Sequence, residues 1–74
     1  MGKKKANFGE VLRAIRLERG MTQTEVAERV RNRRIKTLSE PHYRRIEGNF
    51  TVPSVILAME ICSVLETDIY EVWG

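Results

Sequence analysis

Gly20-Met21-Thr22-Gln23-Thr24-Glu25-Val26-Ala27-Glu28-Arg29-Val30 holds a helix stop, a helix start and the first buried turns of a new helix in direct succession. Glycine enters the left-handed conformation that ends a helix without the clash a Cβ would cause, so Gly20 closes the segment before it. Thr22, with Glu25 three residues on, forms a capping box whose hydroxyl and carboxylate satisfy backbone N–H groups the first helical turn leaves open. Val26, Ala27 and Val30 then share one helical face. Upstream, Phe8, Val11, Leu12 and Ile15 recur at i, i+3, i+4 and i+7 behind the capping sequence Asn7-Phe8-Gly9-Glu10, which predicts a first helix over 8–19. A helix, a tight break and a second helix result.

Downstream, Arg31-Asn32-Arg33-Arg34-Ile35-Lys36-Thr37-Leu38 is basic with two apolar anchors, and it reads as a helix end plus loop of open boundary. Ser39 caps a third helix over 39–48, with Glu40 favouring the dipole and Pro41 sitting where a missing N–H does no harm. Tyr43 and Ile46 face inward, and Gly48-Asn49 suits a tight C-terminal turn. Pro53-Ser54 opens a fourth helix in which Val55, Ala58, Met59, Cys62 and Leu65 keep helical spacing. Asp68-Ile69-Tyr70-Glu71 is a further capping box, opening a short last helix that ends in Val72-Trp73. The expected fold is all-α: five short helices in one domain over 8–74, after a basic arm at 1–7.

The totals agree with one domain, since 74 residues leave room for one modest core. With 42% hydrophobic and 31% charged residues the chain has too many aliphatics for disorder. No apolar run approaches the roughly 18 residues that cross a bilayer, so a cytoplasmic location is expected. The lone Cys62 excludes an internal disulfide, and with His42 as the one imidazole no metal or cofactor site is expected. His42 has no Ser, Cys or acid at a catalytic spacing, which argues against an enzyme. All 13 Lys and Arg lie in residues 1–45, and the acids from Glu47 onward have no base among them. Such a split suggests a polyanion partner, whose counterions a basic surface releases, or else a solvated surface.

Taken together, Leu12-x-x-x-Arg16, Gly20-Met21-Thr22-Gln23-x-x-Val26-Ala27, Ser39, Ile46-Glu47, Pro53-Ser54 and the stretch Leu65 to Trp73 resemble the Cro and phage-repressor type of helix-turn-helix, the Xre-like family. The resemblance covers about residues 8–73. It implies a compact lambda-repressor-like DNA-binding domain acting as a transcriptional regulator, a repressor by preference, on double-stranded DNA. One departure is large: between Val30 and Leu38-Ser39 the family has about one residue, a glycine, where this chain has Arg31 to Thr37. Asn49 also replaces a usual glycine, a mild change because asparagine tolerates the left-handed conformation.

By that resemblance Ser39, Glu40, Pro41, His42 and Arg45, with Arg44 close behind, are the base-contacting residues of helix 3. Arg45 can donate two bonds to guanine O6 and N7, and Pro41 can meet a thymine methyl. Glu40 either accepts from cytosine N4 or only favours the helix dipole. Gln23, Asn49 and Thr51 match positions that meet phosphate, Gln23 also bracing the recognition helix. Arg33, Arg34 and Lys36 in the enlarged turn are further phosphate candidates, and Lys3-Lys4-Lys5 is an arm that either wraps the duplex or is disordered. Arg16 and Glu47 match a structural ion pair joining helix 1 to the end of helix 3. Cys62 is expected as a buried thiol.

Ile56, Leu57 and Val64 lie off the expected inner face of helix 4, and Trp73 is near the chain end. These are candidate contacts of a symmetric homodimer on a near-palindromic operator, unless the last helix covers them. An alternative of another class is a protein-interaction module, such as an antitoxin or anti-repressor subunit. No membrane contact and no small-molecule effector is evident.

Overall fold

The computed structural model describes residues 8–73, and in it the starts of the last four helices are traced to side-chain caps. Five helices follow in order: α1 Phe8–Glu18, α2 Gln23–Arg31, α3 Glu40–Glu47, α4 Val55–Val64 and α5 Ile69–Trp73. Thr22 accepts from Glu25 N at 3.0 Å while Glu25 accepts from Thr22 N at 2.8 Å, completing the capping box of α2. Ser39 Oγ accepts from His42 N and Ser54 Oγ from Leu57 N, each at 3.2 Å. At α5 the Asp68 carboxylate accepts from Tyr70 N at 3.0 Å. Asn7, the expected cap of α1, lies outside the described residues.

The ends of α1, α3 and α4 share one device. Gly20, Asn49 and Glu66 take φ values of 70°, 64° and 58°. In each case the following N–H reaches five residues back: Met21 to Arg16 O, Phe50 to Arg45 O and Thr67 to Cys62 O, at 3.1, 2.9 and 2.9 Å. These are Schellman turns, which satisfy carbonyls at the helix end and reverse the chain in few residues. Glycine and asparagine suit the conformation, whereas Glu66 adopts it at a steric cost.

The core is built from one face of each helix. Leu12, Val26, Val30, Tyr43, Ile46, Ile61 and Leu65 are fully buried, and burial of each such side chain contributes about 1.5–3 kcal/mol before entropy is counted. α3 packs against α1 and α2, α2 against α4, and α5 against α1 and α4. α1 crosses the end of α3 so closely that a Cβ at Gly9 would stand 2.4 Å from the carbonyl oxygens of Ile46 and Glu47. Only a residue without a side chain fits there.

Two expectations about α4 are corrected. Val55 and Met59, expected inside, are 59% and 51% exposed, while Leu57, expected outside as a dimer contact, is buried at 7%. The inner face is Leu57, Ala58, Ile61, Cys62 and Leu65. α4 is apolar nearly all round (VILAMEICSV), so spacing alone did not orient it. The long α2–α3 connection is a turned loop. It is pinned by buried Leu38, by Ile35 against the core, and by Arg31 Nη1 donating to Leu38 O at 2.8 Å.

Candidate nucleic-acid interface

The exposed face of α3 begins at its cap. Ser39, Pro41, His42 and Arg45 share one shallow depression with Thr51 from the loop that follows the helix. Pro41, His42, Arg44 and Arg45 are exposed, as helix positions opposite buried Tyr43 and Ile46 must be. Glu40 is half-buried and accepts from Arg44 Nη2 in an i,i+4 pair. Arg44 and Glu40 therefore satisfy each other in the unbound protein. A helix N-terminus with its cap facing outward, a cation one turn on and hydroxyls alongside can hold phosphate and reach base edges.

Behind this surface lies a buried polar cluster. Arg16 Nε donates to Glu47 Oε2 at 2.6 Å and Arg16 Nη2 to Glu47 Oε1 at 3.1 Å, a two-bond pair with 7% and 5% of the residues exposed. The third arm of the guanidinium, Nη1, donates to Met21 O at 2.8 Å, and Gln23 Nε2 donates to Glu47 Oε1 at 3.0 Å. The cluster thus ties α1, the α1–α2 turn, the start of α2 and the end of α3 to one carboxylate. Burial pushes the Glu47 carboxyl upward, but the Arg16 and Gln23 bonds, with the Tyr43 hydroxyl close by, outweigh it and hold the carboxyl below its ordinary range. Arg16 is raised above its usual value by its bond to Glu47. The buried Tyr43 hydroxyl has no hydrogen bond of normal geometry, and burial followed by the neighbouring carboxylate pushes its pKa strongly upward.

The remaining expected site residues are distributed as follows. Gln23 is half-buried, and its side chain braces Glu47. Asn49 is exposed, with its Oδ1 accepting from Gly9 N at 3.0 Å across the α1–α3 seam, and Thr51 is half-buried. Arg33 and Arg34 turn toward α4, where Arg33 Nε donates to Glu60 Oε1 at 2.8 Å and Arg34 Nη1 stands 3.8 Å from Glu60 Oε2. Lys36 is exposed. Ile56 is 60% exposed and Val64 is half-buried against the core. The Trp73 side chain and the Lys3-Lys4-Lys5 arm lie outside the described residues. Cys62 is buried, and burial, then the Asp68 carboxylate, push its thiol up to about 11.

Glu60 was missed at the sequence level. Its signal is a single acid inside an otherwise apolar helix, a position that demands a cationic partner. Arg19 was missed as well: its Nε donates to Leu65 O at 2.8 Å and its Nη2 to Glu66 O at 3.2 Å, fastening α1 to the end of α4.

A protein-family model, Helix-turn-helix, matches residues 12–72. No curated protein and no solved structure matches the chain significantly. Among the described residues no helix is long and apolar enough to cross a membrane. The family match runs from the first turns of α1 into α5, and the capped α2–α3 pair with its solvent-facing second helix lies at its centre, so the chain belongs to the Cro/C1-type helix-turn-helix family of DNA-binding regulatory proteins.

Proposed function

We propose that this protein is a sequence-specific transcriptional repressor that lays the N-terminal half of α3 in the major groove of duplex DNA. The observation supporting this most directly is the shared exposed surface of Ser39, Pro41, His42, Arg45 and Thr51 at the capped start of α3. Its structural charges, Arg16 and Glu47, are buried behind it. In this reading Arg45 donates to guanine, Pro41 meets a thymine methyl, and Ser39 and His42 contact neighbouring base edges. Arg44 exchanges Glu40 for a duplex acceptor on binding, which frees Glu40 to accept from cytosine N4. Thr51, Asn49, Arg34 and Lys36 hold phosphates on either side.

Two copies acting together on a near-palindromic operator complete the proposal. The dimer contact is the exposed face of α4, with Val55, Ile56 and Met59 at 59%, 60% and 51% exposure, and Leu57 is excluded by its burial. A second reading is supported by Phe50 and Val52, 83% and 78% exposed beside the same helix. An apolar run of this kind also suits an antitoxin or anti-repressor subunit that grips another protein.

Selection of sites from random duplex DNA, followed by affinity for the winner and for a scrambled duplex over a salt series, separates the two. A two-fold symmetric motif bound about a thousandfold more tightly than the scramble, with affinity falling as salt rises, supports the repressor. Equal binding of both duplexes, or none, favours the protein-interaction reading. Sedimentation showing monomer alone, with and without the duplex, removes the dimer.

A further inference from the structure

Glu60 is the one acid in the ten residues of α4 and is 7% exposed. A carboxylate at that depth is tolerable only with a cation at hand, and the cation comes from the α2–α3 loop: Arg33 at 2.8 Å, with Arg34 at 3.8 Å. The same loop is fastened at its exit, where Arg31 donates to Leu38 O and Leu38 is 2% exposed. The next residue is Ser39, whose hydroxyl caps α3. α4 is thus linked, through one ion pair and a few residues of chain, to the N-terminal turn of the recognition helix.

We propose that Glu60 is a positioning residue for DNA binding: by gripping Arg33 it makes the 32–37 segment a fixed strut between α4 and the start of α3, and it withdraws Arg33 from the phosphate contacts. A phosphate that captured Arg33 would leave the buried Glu60 carboxylate without its one hydrogen-bonded cation and with only the longer Arg34 contact at 3.8 Å, which costs more than an exposed phosphate contact returns. Arg34 is under no such restraint, because its side chain is 73% exposed and its carboxylate partner lies farther off. The enlarged turn therefore offers Arg34 and Lys36 to a duplex and keeps Arg33 for the fold. The inference rests on the duplex-binding function proposed above.

The test compares the full chain with Glu60→Met, which places an apolar side chain in an apolar helix and leaves half-exposed Arg33 free to swing out. Amide hydrogen exchange is read without DNA, and affinity for a duplex of arbitrary sequence is read over a salt series. In Glu60→Met, exchange over residues 35–40 should speed about tenfold while α1 is unchanged. The slope of log affinity against log salt should steepen by about one, as the freed Arg33 reaches a phosphate. The preference for the selected duplex over the arbitrary one should fall about tenfold. Arg33→Gln in the otherwise natural chain should leave the salt slope unaltered. Glu60→Gln, which keeps an acceptor for Arg33, should show smaller changes in the same direction and serves if Glu60→Met does not fold. Unchanged exchange and slope in the Glu60 variants, or a slope lowered by about one in Arg33→Gln, would overturn the proposal. Failure of the natural chain to bind any duplex counts against the proposed function, and the exchange measurement then decides the strut by itself.

Discussion

Replacing Glu47 with alanine removes the carboxylate that accepts two bonds from Arg16 and one from Gln23, and it leaves the Arg16 guanidinium 7% exposed without its counter-ion. Breaking one side of a buried pair costs about 3–5 kcal/mol, most of it the penalty of the stranded charge. A domain of this length holds roughly 4–11 kcal/mol in total. The variant should therefore lose about a quarter or more of its stability, with Tm falling by roughly 12–40 °C. The bond to Met21 O survives and softens the loss. Thermal unfolding followed by circular dichroism measures this directly, and pH supplies a second axis. The Glu47 carboxyl is lowered in the folded state, so its stabilisation is complete above the unfolded carboxyl value of about 4.3 and drains away as pH falls through the lower folded value. The gap in Tm between the natural chain and Glu47→Gln should then be widest above about pH 5 and shrink below about pH 4. An alanine variant melting within about 3 °C of the natural chain at pH 7 would refute the reasoning.

Gly9→Ala should lower the urea midpoint, at a cost of about 1–3 kcal/mol or more, because the new methyl meets backbone oxygens that cannot swing aside; an unchanged midpoint contradicts the close crossing. Glu66→Gly should raise stability by about 1 kcal/mol by relieving a left-handed glutamate, and a lower midpoint would show that its side chain contributes more than the strain removes. Arg45→Ala should leave Tm unaltered and weaken binding of the selected duplex roughly tenfold or more; equal loss on every duplex would assign Arg45 to phosphate instead. Cys62 should resist a thiol reagent at pH 8 in the folded protein and react promptly in denaturant, since burial and Asp68 raise its thiol to about 11. Fast labelling of the native protein would count against that environment.

The first three helices were legible because short-range chemistry and long-range packing agree there. Thr22 with Glu25, Ser39 before Pro41, and Gly20 after a periodic stretch are local signals, and the buried faces Val26–Val30 and Tyr43–Ile46 point where the caps require. α4 carries apolar residues on every side, and which of them turn inward is decided by partners on α2 and α5 that no local window contains. Glu60 and Arg33 are 27 positions apart and adjoin only after the loop has folded back. The ion pair Arg16–Glu47 spans 31 positions and was still anticipated, because the family resemblance carried it where spacing could not. For the candidate interface, residue types and helix placement were readable, whereas the internal engagement of Arg33 and Arg44 was not, being a competition among acceptors that only coordinates expose.

The seam at Gly9 bears on how the molecule should be handled. Its N–H donates to Asn49 Oδ1, and its α-carbon rests on the carbonyls that end α3, so the chain enters the domain beside the exit of α3. Anything attached upstream of Phe8 is tethered near Asn49, one of the residues proposed to hold phosphate. An affinity tag there would compete with DNA for space, and a fluorophore there would act as a proximity gauge for it. Immobilisation for binding work belongs at the far end of the chain, after α5, whose packing partners are α1 and α4.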